Sequence, residues 1–392
     1  MGRREALRIG LIWAAWLGAV VATVAIGLAA GAYVWQPGWI QHSGLWPLYA
    51  WDFNWYVNIA RDGYPAGAGG RQYAFFPLWP LVLDWAGMHL EAVVAAALAW
   101  AASLAAFLGV SAGRTRSPLT SAAALACWPG SFTLAIAYPD GLALAAAAWA
   151  AALVLRDRPL LAGAVGAVAS FARPTGVLIA LPLVWLARGR GARAWVGAAL
   201  PVAAAAAVEA YIWDRSDDAT AFFDAQRLWG RHGPRGLGTW ADHVAGVIDR
   251  HGTVIGPLAL AAAAALVVAW RRYGVWRTAV GAYACAVPLL LAATSSLQGF
   301  VDSARAALVL PLLVVLWRLG PRYRPWAAYA TLVVTLLLLS GTIQSFGRQS
   351  LFAFPIFWAV ADGPRVFRSP VLAALGFAAN LALVLLLTRF AP

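Results

Sequence analysis

The chain has 392 residues, of which 62% are hydrophobic and 11% charged, with a formal charge of +13. That composition, with a mean hydropathy of +0.72, excludes a soluble globular domain and makes a lipid bilayer the expected solvent. So strong a basic excess would point to nucleic acid in a soluble protein, but in a membrane protein the positions of the basic residues come first.

The start, Arg3-Arg4 followed by the apolar run Ile9 to Ala32, resembles a signal peptide with a small-residue exit at Ala29-Ala30-Gly31. The run is longer than an h-region and reads as an uncleaved first span. Apolar runs between Pro, Gly and Arg punctuation predict thirteen spans, at 9–35, 88–112, 118–137, 141–155, 159–172, 174–187, 194–212, 253–270, 278–293, 305–317, 326–345, 351–361 and 369–389. All 29 basic residues are Arg, and 18 of them fall in alternate short loops. These are Arg3, Arg4 and Arg8; Arg114 and Arg116; Arg156 and Arg158; Arg188, Arg190 and Arg193; Arg271, Arg272 and Arg277; Arg318, Arg322 and Arg324; and Arg365 with Arg368. Cytoplasmic loops are enriched in Arg, so this side and the N-terminus are expected in the cytoplasm, and the charge is a topology signal rather than a nucleic-acid signal. The expected fold is an all-α polytopic membrane protein, one integral membrane domain over 1–392 with about 11–13 transmembrane helices. Cys127 and Cys285 both lie in apolar segments, so neither a disulfide framework nor a CxxC zinc site is expected. The 22 tryptophans are expected mostly as an interfacial belt.

Two long loops, 37–87 and 213–252, face the other side and hold most of the acids, which is where function is expected. In the first, Trp51 to Tyr64 reads as a short interfacial helix. Asp52 is placed to cap it, Tyr56 and Ile59 share its face, and Asp62-Gly63 ends it. The aromatic run Tyr73 to Pro80, with two prolines, is expected to break helix and re-enter the interface.

These residues resemble the PIG-V-type mannosyltransferases, which add the second mannose in GPI-anchor synthesis, and their prokaryotic relatives. The resemblance rests on Trp51-Asp52, Tyr56, Ile59-Ala60, Gly63-Tyr64 and Ala74-Phe75-Phe76-Pro77. It continues through Trp128-Pro129-Gly130-Ser131-Phe132, Phe171-Ala172-Arg173-Pro174-Thr175-Gly176, Ala225-Gln226-Arg227-Leu228-Trp229-Gly230 and Gln344-Ser345-Phe346-Gly347-Arg348. Tyr138-Pro139-Asp140 departs from the family's Tyr-Ser/Thr-Glu by keeping the acid but shortening it. The resemblance implies a GT-C fold with interfacial helices in the first outer loop, a catalytic acid there, and a polyprenyl-phosphate-sugar donor.

Asp52 is then the expected general base, taking the acceptor hydroxyl proton while the anomeric carbon is attacked, against a plainer role as helix cap. Arg173, expensive at membrane depth, is expected to bind the donor phosphate, with Arg305 and Arg348 sharing the task. Its plainer role is an ion pair with Asp140 or Asp302, and theirs is interfacial snorkelling. Tyr56, Tyr64, Phe76, Tyr138, Asp140, Gln226 and Trp229 are the expected substrate-binding residues; for the last two the alternative is an amphipathic helix with a Trp anchor. His232, His243 and His251, near Asp242 and Asp249, lack a tight metal-ligand spacing. No cofactor is expected, and dependence on a divalent metal is left open. The expected partners are the lipid-phosphate sugar, a lipid or glycolipid acceptor and membrane lipids, with no nucleic acid and a monomeric protein. The competing function is a transporter or flippase of lipid-linked sugar precursors, which would place ionisable residues near mid-bilayer; only Glu209 fits that description.

The topology has a direct test. In a Cys-free background, single cysteines at Gly67 and at Gly236 should both react with an impermeant thiol reagent from outside the cell. Reaction at only one of them would break the thirteen-span arrangement.

Overall fold

The computed structural model describes residues 1–35, 44–86, 91–231, 297–340 and 345–389, with backbone alone for 91–92 and 297–307. Every regular element among them is helical. In chain order these are α1 (Arg3–Ala29), α2 (Phe53–Asp62), α3 (Leu78–Ala86), α4 (Glu91–Ser111), α5 (Pro118–Ala126), α6 (Asp140–Val154), α7 (Pro159–Ala172) and α8 (Ala180–Ala187). They continue with α9 (Ala192–Ser216), α10 (Ala221–Leu228), α11 (Leu297–Arg318), α12 (Arg324–Leu339), α13 (Phe346–Gln349), α14 (Pro355–Asp362) and α15 (Pro370–Leu385). The expected spans at 253–270 and 278–293 lie outside the described residues; each of the others contains a helix. Arg3–Ala29, Val93–Ser111 and Ala192–Ser216 are long and apolar enough to cross a bilayer unaided, which marks an all-helical membrane protein.

The basic loops meet at one end. Arg190 reaches the carbonyl of Val154 at 3.3 Å and Asp157 at 3.7 Å. Asp362 accepts from the Arg116 N–H at 2.9 Å and from the Tyr323 hydroxyl at 2.8 Å. Arg114 feels the charges of both Arg190 and Arg322. The loops after α4, α6, α8, α11 and α14 are thus neighbours.

Other helices stop short. At about 1.5 Å per residue, the 15 residues of α6 and 14 of α7 reach only about 21–22 Å, less than the roughly 30 Å of hydrocarbon. Glycines show how far short. A Cβ on Gly163 would fall 2.0 Å from the Gly197 carbonyl oxygen, and one on Gly166 3.0 Å from Pro201, so α7 and α9 are in backbone contact. Small residues permit such an approach in lipid, where no hydrophobic force drives helices together. Both pairings advance in the same direction, so the two helices are parallel, and the end of α7 is level with residues near 207. Phe171 accordingly lines a groove with Ala207 and Val208. α9 runs on to Ser216, about 13 Å further at ~1.5 Å per residue. Arg173, just after α7, therefore lies well short of the C-terminal end of α9.

The projecting turns of α9 support the first outer loop. The Gly67 N–H donates to the Arg215 carbonyl at 3.3 Å, and Tyr64 meets Tyr211 edge-on at 5.8 Å. Tyr73 and Phe76 pack with Val208, Ile212, Ala221 and Ala225 into a small second core. The prolines of the aromatic run begin a helix rather than breaking one. Pro77 accepts the first α3 hydrogen bond, from Leu81 at 3.0 Å, and Pro80 sits in the first turn, where a missing N–H costs nothing.

The expected span 118–137 is interrupted, since α5 stops at Ala126 and residues 127–139 are mostly irregular apart from the 3₁₀ turn Ser131–Leu134. Its buried polar backbone needs partners, and tryptophan supplies several. Trp79 Nε1–H donates to the Ala137 carbonyl and Trp100 Nε1–H to Ala135, both at 3.0 Å, while Asn380 Oδ1 accepts from the Phe132 N–H at 3.0 Å. Trp16, Trp79, Trp326 and Trp358 are fully buried, so these four stand apart from the expected interfacial belt. Indole joins a large apolar body to one donor, which suits a broken helix in lipid.

Gly163→Val should separate α7 from α9 and cost at least about 2 kcal/mol by overpacking. Thermal unfolding in detergent measures this, with Gly10→Val, whose added carbon meets open space, as the control.

Candidate active site

Trp51 precedes α2 in the left-handed region, with φ +59°, a strained conformation for a bulky residue. Its indole donates to the Leu387 carbonyl at 2.7 Å. Asp52 then occupies the N-cap position, but its side chain caps nothing; the Trp55 and Tyr56 N–H groups bond to its backbone carbonyl instead. The carboxylate turns away, and its Oδ2 pairs with Arg348 at 2.7 Å. The capping expectation for Asp52 is therefore overturned.

Arg348 reaches Asp52 from α13, a single turn entered through Ser345 at φ +63°. A Cβ on Gly130, itself at φ +142°, would lie 2.8 Å from the Gly347 carbonyl oxygen, so the irregular segment before α6 fixes the height of this turn. Tyr138 joins the two sides. Its hydroxyl accepts from the Asp52 N–H at 3.0 Å and donates to the Ala50 carbonyl at 2.9 Å, while its ring lies 5.3 Å beneath the Arg348 guanidinium.

Arg173 is extended because Pro174 disfavours helix in the residue before it. Its guanidinium pairs with Asp140 at 3.0 Å, and both residues are buried. The plainer role foreseen for Arg173 is thus real. Arg173 and Arg348 each retain a buried Nε–H without a partner among the described residues.

These groups surround a cavity of about 210 Å³. Asp52, Arg173 and Arg348 line it with Tyr56, Phe76, Gln226 and Trp229, so most of the expected residues converge although they come from distant segments. Tyr138 and Asp140 stand behind the wall and hold Asp52, Arg348 and Arg173. Tyr64 does not reach the cavity; its hydroxyl donates to the Phe75 carbonyl and its ring lines the adjoining groove, because Tyr73 stacks on it at 5.8 Å. The side chain of Arg305 lies outside the described residues, as do Asp302 and the three histidines. An aromatic shelf closes one edge, with Trp55 stacked on Phe75 at 5.9 Å and Trp229 edge-on to both.

Sequence reasoning missed Arg231, Thr175 and Gln349, which also line the cavity. For Arg231 the signal was present. Gly230, at φ +74°, ends α10, with the Gly230 N–H on the Arg227 carbonyl at 2.9 Å and the Arg231 N–H on Gln226 at 3.0 Å. This paired pattern reverses the chain after a helix and returns the next side chain along it. Arg231 accordingly donates to Gln226 Oε1 at 3.1 Å and points its charge at the cavity. Burial, with the charges of Arg348 and Arg173, pulls it down to about 10, so it stays cationic at neutral pH. Burial pushes the Tyr56 hydroxyl well up, keeping it a neutral donor.

Neither a family model nor a curated protein sequence matches the chain.

Tyr138→Phe should leave the Asp52 N–H and the Ala50 carbonyl unpaired and destabilise the fold by about 1–3 kcal/mol. A melting temperature equal to wild type would show that Tyr138 does not hold the loop.

Proposed function

We propose that the chain is an inverting glycosyltransferase of GT-C type, akin to the PIG-V mannosyltransferases. It moves a hexose, with mannose the leading case, from a polyprenyl-phosphate carrier to a hydroxyl of a lipid or glycolipid on the non-cytoplasmic face. The observation that carries this reading is the orientation of Asp52. A carboxylate at a helix N-cap that does not cap, yet faces a charged cavity, is held there for another purpose. Arg348 fixes Oδ2, and Oδ1 accepts no hydrogen bond among the described residues.

In the reaction, the acceptor hydroxyl oxygen attacks the anomeric carbon, its proton passes to Asp52, and the bond from that carbon to the phosphate oxygen breaks with its electron pair on the phosphate. Attack opposite the leaving group inverts the anomeric centre. A phosphate needs no strong acid to leave, so one carboxylate suffices where glycoside hydrolysis uses two. Arg173 and Arg348 line the cavity and offer their guanidinium charge to the growing charge on the departing phosphate, in a buried site where such interactions are strong. The Trp55–Phe75–Trp229 shelf and the Gln226 amide suit a sugar face and its hydroxyls.

Purified protein incubated with polyprenyl-phosphate-mannose and a membrane lipid extract should yield a lipid heavier by one hexose. Asp52→Asn should lower turnover about 100-fold or more, the size of a general-base contribution. Asn keeps an oxygen for Arg348 and removes no cap, so the variant should fold normally. Transfer at near the wild-type rate by folded Asp52→Asn would remove Asp52 as the base.

A further inference from the structure

Among the described residues the cavity contains one more cation than anion. Arg173 is matched by Asp140 at 3.0 Å and Arg348 by Asp52 at 2.7 Å. Arg231 approaches from the wall formed by α10 and has no carboxylate partner among the described residues, only the neutral Gln226 oxygen at 3.1 Å. Among the described residues, three guanidinium groups against two carboxylates give the site a formal charge of +1. A half-buried charge facing two like charges is expensive, and burial and both arginines already oppose it. An anionic ligand seated there would relieve that cost.

We infer that Arg231 completes an anion subsite for a phosphate ester, seated between Arg231 and the Arg173 and Arg348 guanidiniums. A carboxylate has two oxygens to offer three forks, whereas a phosphoryl group spreads its charge over more, and arginine matches that geometry with paired donors. The charge also fits. A phosphodiester carries −1, equal and opposite to the site. This deepens the transferase reading and rests on it in one respect, the reaction that follows. When Asp52 accepts the acceptor's proton its charge is lost, Arg348 is released from its counter-ion, and the site rises from +1 to +2. In the same step the diester becomes a departing monoester whose charge approaches −2. Proton transfer at the base and charge growth on the leaving group are thereby coupled through one arginine, with Arg231 supplying the fixed charge on which the balance stands.

The test is binding, which requires no sugar transfer. Citronellyl phosphate, a short prenyl phosphate, is titrated by calorimetry into the purified full chain in nanodiscs, with citronellol and inorganic phosphate as the other arms. Wild type should bind the phosphate ester, ignore the alcohol, and release the ester to inorganic phosphate. Arg231→Gln should weaken the ester by about tenfold or more, because a charge-assisted contact is lost, and Arg231→Lys by less. Arg231 has no carboxylate partner, so its removal strands no charge and the variants should fold. Asp52→Asn, which fixes the uncharged state of the base, should bind the ester several-fold more tightly than wild type. Equal affinity in wild type and Arg231→Gln, equal binding of citronellol, or no displacement by inorganic phosphate would overturn the assignment. Weaker binding by Asp52→Asn would overturn the coupling. A wild-type protein that binds the ester through Arg231 but transfers no hexose would instead defeat the transferase reading and leave the anion subsite standing.

Discussion

Hydrocarbon offers no hydrogen bonds, so any backbone within it that leaves the helix must find partners in the protein. This constraint organises the molecule. The chain breaks helix between α5 and α6, between α7 and α8, and around α13; Asp140, Arg173 and Arg348 lie at these breaks, while Asp52 and Arg231 reach the site from the segments before α2 and after α10. The first break is held by indoles, by Asn380 and by the Ala137 N–H on the Leu48 carbonyl at 3.1 Å. That last bond ties the break to the first outer loop, so satisfying the backbone also brings Tyr138 to Asp52. Tryptophan is frequent here because it fills space as an apolar residue and ends in a donor.

Depth explains the ion pairs. With α7 ending about 13 Å short of the C-terminal end of α9, the buried Arg173 would be costly alone, and Asp140 at the start of α6 compensates it. The same depth gives the cavity its chemistry, because walls of low polarity strengthen each remaining interaction with a bound charge. Aromatic rings replace water around the guanidiniums, Phe352 beneath Arg173 and Tyr138 beneath Arg348. Packing at Gly163 and Gly197 is therefore part of the site's electrostatics, since it sets how far the short helix is drawn down beside the long one.

Much of this was legible from residue order. The helical segments follow from apolar length, a local property; Arg173 stood out because a charge between two short apolar segments is expensive, and Asp52 and Arg348 through the motifs that contain them. What escaped was decided by tertiary contact. Asp52 at an N-cap is locally indistinguishable from a capping aspartate, and only Arg348, 296 positions away, shows that it does not cap. Tyr64 carries the same motif signal as Tyr56, yet stacking on Tyr73 takes it into the adjoining groove. Buried and interfacial tryptophans have one hydropathy, so Trp79 and Trp85 cannot be told apart by sequence although one is buried and the other 87% exposed. Arg231 was overlooked because its motif was read as ending at Gly230, when that glycine's conformation is what delivers the next residue.

Tyr138 shows how the pieces become one device. Its hydroxyl spans Asp52 and Ala50 and its ring carries Arg348, so a single rigid side chain sets both members of the ion pair. Asp52 and Arg348 are then held in place without a ligand, so the proposed reaction would need little reorganisation, the condition under which fixed charges lower a barrier most. The strained Trp51 backbone is consistent with this, since strain persists only where surrounding contacts determine it, and the Trp51 indole bond to Leu387 and the Tyr138 bridge are those contacts. In the proposed transfer the mobile partner is then the proton rather than the chain: its arrival on Asp52 would weaken the hold on Arg348, whose guanidinium already lines the cavity proposed for the phosphate.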